Sequence, residues 1–130
     1  MRTIKFRGYN AQNKEWLYGS LLKCSDSYLI NPEDSDRIAV DDLFVDPESV
    51  GQFTGLHDMN GREIYEGDIV HCSFGPIRLE STGTIIYQDA KYIIKQFGDG
   101  YMLPQDYGEK NIQVIGNIHD NPELLKGGEE

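Results

Sequence analysis

The sequence has little cysteine, no long apolar run and few basic residues, and each shortage excludes a class of protein. Its two cysteines, Cys24 and Cys72, match neither a disulfide framework nor a zinc-binding spacing. The apolar runs end within four residues, far short of the ~20 needed to cross a bilayer. The N-terminus also lacks the apolar core of a signal peptide. We therefore expect a soluble cytoplasmic protein with no membrane partner.

The formal net charge of −10 is unevenly spread along the chain. Residues 1–23 carry a net charge of +4, residues 24–68 carry −10, and residues 69–130 carry −4. A negative field repels phosphate backbones, so nucleic acid is an unfavoured partner. The asymmetry also permits head-to-tail contact between copies, with the basic segment of one copy meeting the acidic segment of another.

Short apolar runs separated by Gly, Asn, Asp and Pro predict a mainly β protein. We expect an N-terminal β region with an acidic loop or short helix over residues 1–60. Five short strands in meander order then predict an SH3-like β-barrel over residues 61–121, because closing the sheet removes its edges. A C-terminal helical turn and tail are predicted over residues 122–130. The predicted barrel strands are 69–74, 82–88, 91–97, 101–103 and 111–119.

The N-terminal β region is predicted to start with a hairpin. Its strands cover residues 3–9 and 15–23, and polar residues between them suit a hairpin loop. We place four apolar side chains on one face of this hairpin: Ile4, Phe6, Trp16 and Tyr18. Residues 33–49 follow with seven carboxylates interleaved with apolar residues. We interpret that stretch as a solvated short helix or edge segment that packs its apolar side inward.

Two later turns have specific signatures. The Asn60-Gly61 pair predicts a type I′ turn with both residues at positive φ. Asn121-Pro122 predicts a helical turn capped by Asn121, with proline at its first position.

His71 and Cys72 form the most suggestive chemical pair. They are adjacent on a predicted strand, where neighbouring side chains point to opposite faces, so they cannot share a metal or act as a base and a nucleophile. His57 and His119 would have to converge on them from elsewhere in the chain. We expect Cys72 in the core and His71 outside it.

The acidic motifs fail as calcium loops. Counted from Asp58, the sixth and twelfth positions are Glu63 and Ile69, where an EF-hand needs glycine and a carboxylate. Asp34-x-Asp36 likewise has no glycine at its sixth position.

Two further motifs are interpreted as turns. Glu63, Glu66 and Asp68 could form an acid–base cluster, but they flank a turn where carboxylates are ordinary surface residues. Gly98-Asp99-Gly100 lacks the helix start and the lysine of a phosphate loop. We predict no catalytic residue, no cofactor and no metal ligand. The sequence does not decide whether the protein is an enzyme, but it favours a binding function over a catalytic one.

The sequence offers only a few of the residues that a platform for stacking nucleic-acid bases would need. It needs aromatic rings beside a basic groove, and Glu80 and Asp89 offset the few bases available here. The residues that could form it are Arg78, Lys91, Tyr92 and Lys95.

Several blocks carry a family resemblance, and the central one, Asn60–Val70, is the most specific. The others are Ile4–Arg7, Val50–Leu56, Val114–Ile118 and Asn121–Leu124. On these blocks the chain resembles the YopX family, proteins encoded by bacteriophages and prophages, and it departs from them at Gly8-Tyr9. The resemblance implies an N-terminal β region, an SH3-like barrel, self-association and a bacterial host cytoplasm. It implies no activity and no catalytic residues.

Our leading hypothesis is a phage-derived accessory protein that acts by binding, as a homo-oligomer or with a host or phage protein. An alternative is that the acidic stretch 33–49 imitates nucleic acid and occupies a host DNA-binding protein. A third is a weak nucleic-acid-binding barrel that uses Lys91 and Lys95.

Overall fold

The structure is a computed structural model that describes residues 3–32, 40–74, 79–96, 101–102 and 109–126. This part of the chain is mainly β and forms two antiparallel sheets. Its strands are β1 (Phe6–Asn10), β2 (Glu15–Cys24), β3 (Ser27–Pro32), β4 (Phe44–Val45), β5 (Gly51–His57), β6 (Glu63–Tyr65), β7 (Asp68–Phe74), β8 (Leu79–Gln88), β9 (Lys91–Gln96), β10 (Tyr101–Met102) and β11 (Ile112–Asn117). A short helix, α1 (Glu123–Lys126), follows β11. None of the described helices is long and apolar enough to span a membrane.

The chain divides into two compact units, Met1–Phe53 and Thr54–Glu130. The first unit holds strands in the order β4-β3-β2-β1, with the start of β5 beside β1. Its core is formed by Leu17, Ile30 and Val45, against which Phe6, Leu21, Tyr28 and Val50 pack.

The register of the first hairpin corrects the predicted apolar face. Phe6 lies opposite Gly19, and Tyr9 lies opposite Trp16. Because side chains alternate along a strand, Phe6 shares the core face with Leu17, while Trp16 and Tyr18 point to the other side. The prediction that Phe6, Trp16 and Tyr18 share one face was therefore wrong.

Residues 40–49 connect β3 to β5 through two 3-10 turns, Val40–Asp42 and Pro47–Ser49, on either side of β4. Val45 is buried and crosses so close to β1 that a Cβ on Gly8 would lie 2.7 Å from its Cγ2. The Asp46 N–H then donates to the Tyr9 carbonyl at 2.9 Å. The rest of the predicted acidic stretch, residues 33–39, lies outside the described residues.

The side chain of Asn10 connects the end of β1 to this segment. It is 1% exposed, and its Nδ2 donates to the carbonyls of Asp42 at 3.1 Å and Phe44 at 2.9 Å. Its Oδ1 accepts the N–H of Asn13 at 2.7 Å. One amide thereby joins the β1–β2 turn to β4.

The second unit contains the end of β5, which pairs with β6, and a sheet in the order β10-β9-β8-β7-β11. Its core is a compact aliphatic cluster built from one residue each of β6, β8, β9 and β11 and two of β7: Ile64, Ile85, Ile94, Ile112, Val70 and Cys72. The predicted strands 69–74 and 82–88 correspond to β7 and β8. The turn between β8 and β9 has positive φ at both Asp89 and Ala90, as a type I′ turn requires.

The turn at Asn60-Gly61 is not the predicted type I′ turn. Gly61 has φ 82°, but Asn60 is not at positive φ. The Gly61 N–H donates to the Asp58 carbonyl at 3.0 Å, and the Asp58 N–H donates to the Arg62 carbonyl at 2.8 Å. This pattern matches a three-residue hairpin loop that ends in a left-handed glycine.

The C-terminal turn also differs from its prediction in one contact. The helical turn is present as α1, directly after Pro122. The Asn121 Oδ1, however, accepts the N–H of Asn117 at 3.2 Å, on the strand before it. Asn121 therefore ties the turn back to β11 instead of capping α1 with its side chain.

Candidate functional site

The strand β7 separates His71 from Cys72, as the sequence predicts. Cys72 is fully buried in the core of the second unit. His71 is half-buried on the other face, with its Nε2 3.7 Å from the Glu80 Oε1. Burial raises the pKa of the Cys72 thiol to about 11. The pair therefore holds no base beside a thiolate, and the prediction of opposite faces is confirmed.

The two cysteines should differ sharply in reactivity. Cys24 is exposed and Cys72 is buried, and only an accessible thiolate reacts fast with a disulfide reagent. We expect Ellman's reagent at pH 8 to titrate one thiol in the native protein and two in denaturant. A Cys24→Ser variant should show none in the native state. Fast native labelling of that variant would contradict the burial of Cys72.

The other histidines do not complete a metal site. His57 is exposed, and the His119 Nδ1 lies 3.4 Å from Oδ1 of its neighbour Asp120. No group of three or more histidines, cysteines, aspartates and glutamates is placed to hold a metal within the described part of the chain.

The carboxylate of Asp58 is occupied by backbone groups. It is 4% exposed. Its Oδ1 accepts the N–H groups of Asn60 and Arg62, each at 2.9 Å, and its Oδ2 accepts the N–H of Val114 at 2.9 Å. Burial raises the pKa of Asp58, but these three hydrogen bonds and the charge of Arg62 outweigh it and hold the pKa below its ordinary value. Asp58 thus joins a turn to a distant strand.

The carboxylates around the β6–β7 turn are also held in structural contacts. The Asp68 Oδ2 accepts the N–H of Tyr65 at 2.7 Å, and the Tyr65 hydroxyl donates to the Glu63 Oε1 at 3.0 Å. Asp68 is 1% exposed, so the interpretation of this group as surface carboxylates was wrong for Asp68, whereas Glu63 and Glu66 are half-buried. The geometry makes Asp68 an acceptor for the turn at Gly67.

The suggested base-stacking platform is divided between two faces of β9. Lys91 and Lys95 are exposed on one face. Tyr92 points to the other, where it packs against the core cluster and meets Tyr87 edge-on at 4.9 Å. Arg78, the Gly98–Gly100 loop and Asp34-x-Asp36 lie outside the described residues.

An aromatic face on the first unit was missed by the sequence reasoning. The outer side of its sheet presents Tyr9, Trp16, Tyr18 and Leu22, which we call the outer stripe. Trp16, Tyr18 and Leu22 alternate along β2, and Tyr9 lies opposite Trp16. Strict alternation from Leu17 and Leu21 would have separated this stripe from the core.

Cations lie against the rings on this face. The Arg7 guanidinium lies 5.0 Å from the centre of the Trp16 ring, and the Lys5 ammonium lies 5.6 Å from the centre of the Phe53 ring. Tyr9 contacts Trp16 with ring centres 5.4 Å apart at 60°. Such cation–π contacts help to fix the rings, but Phe53 is buried and Trp16 is only half-buried. Tyr18 and Leu22, at 44% and 51% exposure, are the open part of the outer stripe.

A family model described as "YopX protein" matches residues 5–126, which covers both units. The chain belongs to the YopX family. Among solved structures it is similar to protein EF1440 from Enterococcus faecalis, with 26% sequence identity and a TM-score of 0.60. That similarity covers 96% of this chain and 99% of the other. No curated protein matches the chain.

Membership of the YopX family confirms the resemblance seen in the sequence blocks. The matched range includes the outer stripe, the Asp58 turn and β11. The features described above therefore lie within the part of the chain that the family shares.

Proposed function

We propose that this protein is a phage-derived accessory protein that acts by binding, with a second copy of itself as partner. The outer stripe carries the proposal, because it places the exposed Tyr18 and Leu22 beside the Trp16 ring, which contacts the Arg7 guanidinium and Tyr9. Aromatic residues and arginine are enriched in the buried centres of protein interfaces. Rings already fixed in the free protein lose little side-chain entropy on association.

Charge favours a second copy as the occupant. Lys5, which is half-buried, lies on the same side of the sheet as the outer stripe, within the segment 1–23 of net charge +4. The following segment of net charge −10 includes the exposed residues Asp41 and Glu48. Opposite charges on two surfaces of one chain let copies attract each other although each carries −10 overall.

For the second unit we propose an SH3-like barrel. Two observations support it. The strand order β10-β9-β8-β7-β11 places β7, the strand of this sheet that comes first in the chain, beside β11, which comes last. Gly67 is hydrogen-bonded both to β8 and to the residue that follows β11. The Gly67 N–H donates to the Ile85 carbonyl at 2.8 Å, and the Gly67 carbonyl accepts the Ile118 N–H at 2.9 Å.

The test is the mass of the protein in solution. Light scattering at micromolar concentration should show an oligomer, and the variant Tyr18→Ser/Leu22→Ser should be monomeric. Tyr87→Ser is the control, because Tyr87 is at least as exposed as Tyr18 and Leu22 but lies in the second unit. We expect the control to keep the wild-type mass.

The salt dependence of the oligomeric mass tests whether attraction between opposite charges contributes to self-association. Raising the ionic strength from about 0.01 M to about 1 M shortens the screening length from roughly 30 Å to 3 Å and should weaken the oligomer. A wild-type protein that is monomeric at every salt concentration would refute self-association. An oligomer that survives in Tyr18→Ser/Leu22→Ser would place the interface elsewhere.

A further inference from the structure

Asn60 differs from the other asparagines of the chain in the residue that follows it. Only Asn60 precedes a glycine, whereas every other asparagine is followed by a residue with a Cβ. Both Asn60 and Gly61 are exposed. Because glycine has no Cβ, it leaves its own backbone nitrogen open to the asparagine side chain before it. Asn60 is therefore the asparagine of this chain that can lose its amide group most readily by ring closure.

Asp58 holds the backbone around Asn60. The Gly61 N–H donates to the Asp58 carbonyl at 3.0 Å, and the Asp58 Oδ1 accepts the N–H groups of Asn60 and Arg62, each at 2.9 Å. Ring closure requires the Gly61 nitrogen to lose its proton and to approach the Asn60 Cγ, so the hydrogen bond from Gly61 has to break first. The closed turn therefore opposes the reaction, which has to wait for a local opening.

We propose that Asn60 is a site of spontaneous deamidation, restrained by the Asp58 turn. When the turn opens, hydroxide removes the Gly61 N–H proton and the Gly61 nitrogen attacks the Asn60 Cγ. The N–Cγ bond forms, the Cγ–Nδ2 bond breaks, and Nδ2 leaves as ammonia with a proton from water, which restores the hydroxide. A second water adds to either carbonyl of the succinimide ring and breaks one of its C–N bonds. The product at position 60 is aspartate or isoaspartate, with no change of oxidation state.

Isoaspartate at position 60 loosens the attachment of this turn to β11. The Met59 N–H donates to the Ile112 carbonyl at 2.8 Å, and the Asp58 Oδ2 accepts the Val114 N–H at 2.9 Å. Isoaspartate adds a methylene to the main chain inside the loop that the Asp58 carboxylate spans, so the loop no longer fits all of these contacts. The modification lies in the second unit, so this inference does not rest on the outer stripe.

The first test compares the wild-type protein with a synthetic peptide of residues 56–64, which lacks β11, in mildly alkaline buffer. Peptide mapping by mass spectrometry follows Asn60, and enzymatic methylation distinguishes isoaspartate from aspartate. We expect Asn60 to convert at least about tenfold more slowly in the protein than in the peptide, because the turn must open first. Equal rates, an Asn60 that stays unconverted in the protein after prolonged incubation, or faster conversion of another asparagine would overturn the proposal.

Asp58→Asn tests the restraint, with Asp26→Asn in the exposed β2–β3 turn as its matched control. The first substitution removes the charge that holds the N–H groups of Asn60 and Arg62, so the turn should open more often. We expect Asn60 to convert about tenfold faster in Asp58→Asn than in the wild type, a difference of ~1.4 kcal/mol. Asp26→Asn should keep the wild-type rate. A folded Asp58→Asn variant that converts Asn60 at the wild-type rate would overturn the proposal.

Hydrogen exchange tests the consequence for β11. The isoaspartate form carries an additional negative charge, so ion-exchange chromatography separates it from the unmodified protein. We expect its Val114 amide to exchange at least about tenfold faster than in the unmodified protein. Asn60→Asp is the control, because it adds the charge without lengthening the backbone, and its Val114 amide should exchange more slowly than that of the isoaspartate form. Equal exchange of Val114 in the isoaspartate form and the unmodified protein would show that the turn stays attached, and would overturn this consequence.

Discussion

Replacing Asp58 with alanine should lower the free energy of unfolding by roughly 3 kcal/mol, because three backbone N–H groups lose a charged acceptor. The Asn60 and Arg62 donors shape the turn, and the Val114 donor joins it to β11. Asp58→Asn keeps one acceptor oxygen and should lose about half as much. Urea unfolding followed by far-UV circular dichroism measures both changes.

The control for this prediction is Asp26→Ala, which removes an exposed carboxylate from the β2–β3 turn. A surface substitution of this kind should change stability by no more than about 0.5 kcal/mol. Equal losses for Asp58→Ala and Asp26→Ala would contradict the role given to the Asp58 hydrogen bonds.

The same carboxylate makes stability depend on pH. The pKa of Asp58 lies below its ordinary value in the folded protein. Its contribution is therefore complete above the unfolded-state pKa of about 4 and is lost as the pH falls through the folded-state pKa. We expect the wild type to lose stability more steeply than Asp58→Asn below about pH 4, in unfolding curves recorded across that range.

Replacing Asn10 with alanine should destabilise the first unit by about 2–4 kcal/mol. Alanine leaves the carbonyls of Asp42 and Phe44 and the N–H of Asn13 without the buried amide that satisfies them. Asn10→Asp should be at least as harmful at pH 7, because a carboxylate cannot donate to those carbonyls. Trp16 is the only tryptophan of the chain and lies in this unit, so its fluorescence reports the unfolding.

Asn31→Ala is the matched control for Asn10. Asn31 is exposed on β3 in the same unit, so its loss should be within about 0.5 kcal/mol of zero. If Asn10→Ala were as stable as Asn31→Ala, the amide would not be what holds β4 to the β1–β2 turn.

Local patterns were sufficient to predict most strands and the opposite faces of His71 and Cys72. Alternation along a strand depends only on neighbouring residues, so β7 could be read from the sequence alone. The predicted apolar face of the first hairpin was wrong because it depended on the pairing of two strands. Placing Phe6 with Trp16 requires the register between β1 and β2, and a shift of one residue moves a whole strand to the other face.

Asp58 and Asn10 could not be recognised as structural centres from local patterns. Their partners lie far along the chain, at Val114 and Phe44. The same distance explains the wrong turn type at Asn60-Gly61. The pair favours type I′ in isolation, but the Asp58 carboxylate accepts the N–H groups of Asn60 and Arg62 and stabilises the three-residue loop instead. The outer stripe was missed because aromatic residues on a short hairpin suggest core.

The place of β11 has a consequence during translation. The ribosome releases β7 and β8 before β11, although β11 lies beside β7 in the finished sheet. At about 5–20 residues per second, the stretch between β7 and β11 takes a few seconds to synthesise. For that time one side of β7 in the nascent chain has no paired strand. The Asp58 carboxylate also lacks the Val114 N–H that it accepts in the folded protein. Chaperones or a neighbouring nascent chain on the same messenger RNA therefore have their best opportunity to bind this protein just before its last strand emerges.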